Sequence, residues 1–444
     1  MSVGVIACLC VFLVGLMLGV PVVWVFFIGP FLGLFIDGMS NAFIAGSFYH
    51  AIFSPTLMAI AFFVYGGSLI SDAGLADRIV RFSYALVGHI RGGMELVGII
   101  ATLFMGALTG SSVPCISALI PLLVPRLERY GYERRYTTAV LCSSSFLGYL
   151  IPPSVPAMIY CLLAQQSVTA LFLATVIPGL ILAFGYAVLN YFLCPKYFSE
   201  NPDMSIEKPK DRRGRWKELW GSTKAALPAL GCPAIILVGI YGGLCTPGEA
   251  GALAVVYCIF VGIFVYRELN LANFKKATFS SLISIGVIAV LIGGGTVLAR
   301  YLIRAGLAQE IARGMLGFFS SKVMILIALN LFFLLLGMFL EGVPVLILGI
   351  PLILPLMKEL DVNLVHLGAI VITNIGLGVV TPPFAMSIFV GSRLSGVSYQ
   401  ELVPIMMRFL FFVGIPTLLL TTFIPALSCW LPSLVLGSKI VGAW

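Results

Sequence analysis

Residues 106–156 read GALTGSSVPCISALIPLLVPRLERYGYERRYTTAVLCSSSFLGYLIPPSVP. The stretch is apolar enough for a bilayer, yet it carries Gly110-Ser111-Ser112 near its head, Ser143-Ser144-Ser145 in its middle and Pro152-Pro153-Ser154 near its end. Hydrocarbon offers no water to a broken helix, and each unpaired backbone N–H or C=O there costs several kcal/mol. Interrupted helix at membrane depth therefore persists only where protein buries it or where it lines a cavity. A polar cavity enclosed by the chain is the implied architecture.

The pattern occurs twice. Pro121, Pro125 and Pro152-Pro153 recur with the same spacing as Pro351, Pro355 and Pro382-Pro383. A glycine precedes each double proline by four residues, Gly148 and Gly378, and a hydroxyl residue adjoins each pair, Ser154 after one and Thr381 before the other. Further upstream, the run Ala73-Gly74-Leu75-Ala76-Asp77-Arg78-Ile79-Val80-Arg81 is echoed by Ala305-Gly306-Leu307-Ala308-Gln309-Glu310-Ile311-Ala312-Arg313. Matched, interrupted hydrophobic segments in two halves of a membrane chain point to a transporter binding site at the repeat interface.

Gly106-x-x-x-Gly110-Ser111-Ser112, Ile151-Pro152-Pro153-Ser154, Thr246-Pro247-Gly248-Glu249-Ala250 and Gly378-x-x-Thr381-Pro382-Pro383 resemble the large membrane subunit of tripartite ATP-independent periplasmic (TRAP) transporters. The likeness runs from about Gly19 to Leu410. The resemblance implies an all-α integral membrane protein of the inverted-repeat, elevator type, with two re-entrant helical hairpins and discontinuous helices. It also implies residence in the bacterial inner membrane, Na⁺ as coupling ion without other cofactors, a small four-helix membrane partner, and a periplasmic binding protein that delivers an organic anion.

Composition agrees with a membrane protein. Hydrophobic residues make up 60% and charged residues 10% of the 444 residues, with a mean hydropathy of +1.10; soluble domains carry about 25% charge. The formal charge of +8 is dispersed over loops, which argues against nucleic acid as a partner and for the lipid bilayer. The densest basic run, Lys196 to Lys224, includes Lys208, Lys210, Arg212 and Arg213 and is expected on the cytoplasmic side. Most of the ten cysteines lie in apolar segments with no C-x-x-C and read as small core residues. The apolar run from Val3 through Pro21 to Ile36 reads as a retained first span.

Hydrophobic runs predict helices over 3–36 (broken near Pro21), 52–71, 92–108, 136–150, 156–193, 225–245, 249–267, 278–299, 322–340, 365–380 and 402–431, with hairpins filling 109–127 and 341–357. Amphipathic surface helices are expected over Ser71–Arg91, Arg300–Arg313 and Arg215–Leu227. The organisation that follows is scaffold helices of the first repeat in 1–70, then arm, hairpin and transport helices in 71–194, and a cytoplasmic linker in 195–224. The second repeat has scaffold helices in 225–299, arm, hairpin and transport helices in 300–401, and a C-terminal helix in 402–444.

Helix breaks supply oriented ligands: carbonyl oxygens at C-terminal ends for a cation, N–H groups and a partial positive charge at N-terminal ends for an anion. Ser111, Ser112, Gly148, Ile151 and Pro153 can offer oxygens in the first copy, and Gly337, Gly378, Thr381 and Phe384 in the second; the resemblance implies two sodium sites there, ligated mostly by backbone. A carboxylate or sulfonate would find Ser111, Ser112, Ser154 and the helix starts near Pro153 and Pro383. Arg304 and Glu341 are further candidates for substrate contact, because a charge at membrane depth is costly and retained for a task. Where the family usually continues Gly-Ser-Ser-x-Ala-Asp, this chain has Val113-Pro114-Cys115, without the carboxylate.

His50, His89 and His366 are far apart and read as structural. No Walker A, H-E-x-x-H or G-x-S-x-G occurs, so a secondary transporter is expected rather than an ATPase or a protease. The competing readings are a self-sufficient Na⁺/dicarboxylate symporter of related fold, and an intramembrane enzyme using Cys115 or Glu341, for which no base stands nearby in the sequence.

Overall fold

The computed structural model describes residues 2–38, 40, 42–88, 93–198, 212–319 and 321–444. Residues 199–211 of the basic linker, with Lys208 and Lys210, and His89 lie outside the described residues. Among the described residues the chain is helical, with no strand beyond one bridge between Tyr132 and Phe198. Seven helices are long and apolar enough to span a bilayer, or up to nine when each of two bent pairs counts as one span.

The two halves follow one plan. Each opens with three apolar helical segments: Val3–Met17, Val22–Ile36 and the bent pair Ala42–Ile52 with Pro55–Asp72 in the first, and Arg212–Tyr241, Pro247–Phe260 (extended to Val265) and Leu271–Arg304 in the second. These pack on one another across the repeats, Gly251 against Phe62 and Phe63 and Leu271–Arg304 against both Val22–Ile36 and Pro55–Asp72. An amphipathic helix follows in each half, Leu75–Val87 and Leu307–Phe318, each entered through a left-handed glycine, Gly74 (φ 75°) and Gly306 (φ 80°). A side chain is strained in that backbone region, and glycine is not. Arg78 fastens the first of these helices: it lies 2.7 Å from Glu268, donates to the Gly74 carbonyl at 2.7 Å and stacks 4.0 Å over Tyr266.

Next in each half comes a pair of antiparallel helices, then a broken helix, then a long closing helix. The pairs are Gly93–Thr109 with Ser112–Arg129, and Lys322–Phe339 with Gly342–Glu359. The segments 109–127 and 341–357, expected to dip and return by themselves, are instead each a single helix and form the second arm of a hairpin. The first arms are the segments expected to be complete spans, 92–108 and 322–340. Prolines four apart did not turn the chain: Pro121 with Pro125, and Pro351 with Pro355, sit inside continuous helices, where membrane neighbours compensate the lost N–H. The turns are at Gly110-Ser111 and Leu340-Glu341, so Glu341 stands midway through the second hairpin rather than at its start.

Other boundaries shift for local reasons. The expected helix 156–193 is two, Val155–Ala164 and Val168–Leu193, parted by left-handed Gln165 and restarted by Ser167, whose hydroxyl accepts from the Ala170 N–H. The expected helix 402–431 divides into Tyr399–Phe409, a wide turn Leu410–Gly414, Ile415–Phe423 and Ala426–Leu436. The surface helix expected over Arg215–Leu227 is the start of the 30-residue Arg212–Tyr241. Ala42–Ile52, an apolar segment, and Met386–Ser395, whose hydrophobic signal is weak, were not foreseen. Helix Leu364–Val379, buried at every residue from Val365 to Val379, runs through the centre of the assembly.

Candidate functional site

Each hairpin is locked to the broken helix of its own half by a pair of glycines. A methyl group on Gly106 would stand 2.6 Å from the Cα of Gly148, and one on Gly378 would stand 2.6 Å from the Cα of Gly337. Backbones can approach this closely only without side chains, the small-residue packing common between membrane helices. The crossings are equivalent: about 230 residues separate Gly106 from Gly337 and Gly148 from Gly378.

At the first crossing the hairpin turn is also tied to the helix break. Gly110 adopts φ 60°, and its carbonyl accepts the Val155 N–H at 3.2 Å, while a methyl on Gly110 would meet the Pro153 carbonyl at 2.7 Å. Gly148 abuts the Ser111 carbonyl, which also accepts from Thr109 Oγ1 at 3.2 Å. Ile151, extended, ends the one-turn helix Leu147–Leu150. Ser154 is fully buried and caps Val155–Ala164, accepting the Ala157 N–H at 3.3 Å. Pro152-Pro153 and Pro382-Pro383 are both cis.

The second crossing gathers Gly337, Gly378, Thr381 and Phe384. Thr381 donates to the Leu377 carbonyl at 2.6 Å, and the Phe384 ring lies 5.4 Å from that of Phe339 at the hairpin tip. Pro383 is exposed, and its carbonyl accepts the Tyr399 hydroxyl at 2.8 Å. The second tip reaches the helix break of the first half, since a methyl on Gly342 would lie 3.7 Å from the Tyr149 ring. Packing is reciprocal across the halves: Ser112–Arg129 lies on Met386–Ser395, and Gly342–Glu359 on Val155–Ala164.

Where Ser112–Arg129 begins, three buried hydroxyls close on one another. Ser112 donates to Ser145 at 2.7 Å and lies 3.0 Å from Ser387, and Ser145 donates to Ser387 at 3.2 Å. Ser387 belongs to the other half and was not foreseen, because its helix was not; Ser145 was visible only as one of three consecutive serines. The corresponding positions of the opposite crossing are Gly342, Ile375 and Pro156, and Gly342 packs on Ile375. A second buried network joins Asn374 to Asn330 at 2.8 Å and Asn330 to Thr422 at 2.9 Å, pinning the central helix to the hairpin and to Ile415–Phe423.

Arg304 is the last residue of Leu271–Arg304 rather than part of an amphipathic stretch, and its guanidinium lies 5.7 Å over the Phe43 ring of a first-half helix. Cys115 is buried with its thiol directed at the Thr102 carbonyl, 3.8 Å away, so the position of the missing carboxylate faces the other hairpin arm. His366 is buried, with Nε2 3.3 Å from the Thr422 carbonyl, a packing role. Among the described residues no group of three His, Cys, Asp or Glu side chains is placed to hold a metal; the oxygens gathered at the crossings are hydroxyls and main-chain carbonyls.

Comparisons with known proteins agree with this arrangement. Residues 9–427 match the family model for the tripartite ATP-independent periplasmic transporter, DctM component. The chain is similar to the sialic acid TRAP transporter large permease protein of Vibrio cholerae, 33% identical over 86% of this chain and 87% of the relative. It is likewise similar to the C4-dicarboxylate TRAP transporter large permease protein of Pseudomonas aeruginosa, 33% identical over 85% of this chain and 86% of the relative. The fold resembles that of the Alcanivorax borkumensis YdaH transporter, with a TM-score of 0.59, 15% identity, and coverage of 85% of this chain and 86% of the other.

Proposed function

Because the chain belongs to the TRAP transporter family as its large permease, the DctM component, we propose that it is the transmembrane subunit of a Na⁺-coupled, binding-protein-dependent importer of small organic anions. As a member of that family it is a multi-pass bacterial inner-membrane secondary transporter and not an enzyme. The family's name implies a small membrane subunit and a periplasmic binding protein as partners; for this chain we take the former to be the four-helix subunit. Sialic acid and C4-dicarboxylates are named for its relatives, and a carboxylate is the solute class proposed here.

The observation that carries the proposal is the pair of equivalent glycine crossings, Gly106 on Gly148 and Gly337 on Gly378. Each holds a hairpin turn against a helix break. Carbonyls and hydroxyls of Ser111, Ser112, Gly148, Ile151 and Pro153 on one side, and of Gly337, Gly378, Thr381 and Phe384 on the other, would hold sodium. Helix starts at Ser112, Val155 and Met386 would favour the acid group. In the mechanism proposed, the two hairpins and broken helices move as a carrier against the frame of residues 1–70 and 225–299, the elevator motion. One surplus Na⁺ driven through about 100 mV yields about 2.3 kcal/mol, enough for roughly fifty-fold accumulation at about 1.4 kcal/mol per tenfold.

The test is uptake by proteoliposomes holding this chain with its small subunit and loaded binding protein. Accumulation is expected only with inward Na⁺ and all three components. Full-rate uptake by this chain alone would instead establish the self-sufficient symporter.

A further inference from the structure

We propose that Tyr149 is a specificity-determining residue, selecting acids that carry a hydroxyl group near the acid function over their unsubstituted analogues. The inference rests on the organic-anion reading above and deepens it.

Tyr149 occupies the point where the two hairpin tips approach. It sits on the one-turn helix Leu147–Leu150, next to Gly148, whose Cα is wedged between Gly106 and the Ser111 carbonyl. That wedge leaves the tyrosine backbone little freedom to retreat. The residue is 2% exposed, so the ring is held in packed protein and its position is fixed. The hydroxyl lies beside the Ser111 side chain at the first tip and near the Glu341 carboxylate at the second. From the other half, Gly342 approaches the ring and hydroxyl so closely that a methyl there would lie 3.7 and 3.8 Å away. One phenol thus joins both tips, and it is drawn from a helix break rather than from either hairpin.

The chemistry of the trio selects its ligand. Glu341 is exposed, makes no side-chain cap to its own helix and has no ion pair among the described residues. A bare carboxylate at this spot repels the acid group of a solute and accepts hydrogen bonds. A phenol and a serine hydroxyl can each donate or accept. A solute hydroxyl satisfies the set: it donates to Glu341 and accepts from Tyr149, while the acid group turns away toward the helix starts at Ser112 and Val155. A plain methylene in the same place leaves the polar groups unpaired, and sites built to bond a hydroxyl discriminate against analogues that lack it.

The experiment measures affinity by thermal stabilisation of the purified full-length permease in Na⁺, using two matched pairs of acids: malate with succinate, and isethionate with ethanesulfonate. The hydroxylated member is expected to bind about three- to tenfold more tightly, the range of one neutral hydrogen bond. Tyr149→Phe keeps the ring and should bring the members of a pair level while leaving the unsubstituted acid unchanged. Glu341→Gln keeps an acceptor and removes the charge, so it should retain the preference while tightening both members. Equal binding of a pair by the unaltered protein, a preference that survives Tyr149→Phe, or an equal loss for both members would each overturn the proposal. Silence toward both pairs would overturn it too, and Na⁺-driven uptake of another acid would then leave the transport reading standing.

Discussion

Replacing Gly378 with alanine separates close packing at the crossing from mere helix preference. The new methyl would sit 2.6 Å from Gly337 Cα and 2.8 Å from Gly337 C, roughly 1 Å inside the usual carbon–carbon contact of about 3.5–4.0 Å. The obstacle is backbone, which cannot rotate aside, so the hairpin must shift away from the break. Overpacking of this kind costs about 1–3 kcal/mol, against which alanine returns at most about 1 kcal/mol in helix preference. The partner substitution is gentler: a methyl on Gly337 meets Gly378 Cα at 3.0 Å and its next neighbour at 3.7 Å. Thermal unfolding in detergent, read alongside Na⁺-driven uptake, should therefore rank Gly337→Ala near the unaltered protein and Gly378→Ala clearly below it in both assays. A reversed order, or two variants equal to the parent, would refute the crossing as the element that positions the second tip.

Exchanging Ser112 or Thr381 for a bulky residue should abolish Na⁺-dependent uptake with membrane insertion intact, as judged by surface labelling of the expressed chain; unchanged uptake would remove those positions from the site. Ser387→Ala breaks two contacts of the buried serine triangle, at about 0.5–1.5 kcal/mol each, and should lower uptake more than Ser395→Ala, whose hydroxyl bonds only within its own helix and to the adjacent turn. Substituting K⁺ for Na⁺ should collapse accumulation, and persistence in K⁺ would mean another coupling ion. Cysteines placed at Thr109 and Gly342 should react from opposite faces of the membrane, and labelling from one face would contradict inverted halves.

The fold was legible where its signal was periodic or duplicated. The proline spacing announced two matching halves, and Gly148 with Gly378 marked the helix breaks, because a glycine before a double proline has few other uses in an apolar run. The shape of the hairpins was not legible. Pro121 and Pro351 imitate turn residues, and only tertiary neighbours tell a bent helix from a return. Met386–Ser395 was missed for a related reason: Ser387, Ser392, Arg393 and Ser395 dilute its hydrophobic signal, and it is held by packing on Ser112–Arg129. Missing that helix hid Ser387, the one member of the serine triangle from the second half. A charge at the end of a long helix, such as Arg304, is indistinguishable in sequence from one at depth; its place over Phe43 is a tertiary fact.

The halves share a backbone plan but not a chemistry. Ser112, Ser145 and Ser387 stand where the twofold mate has Gly342, Ile375 and Pro156. The two crossings are therefore held by different forces, hydrogen bonds among hydroxyls at one and apolar contact at the other, and need not loosen together.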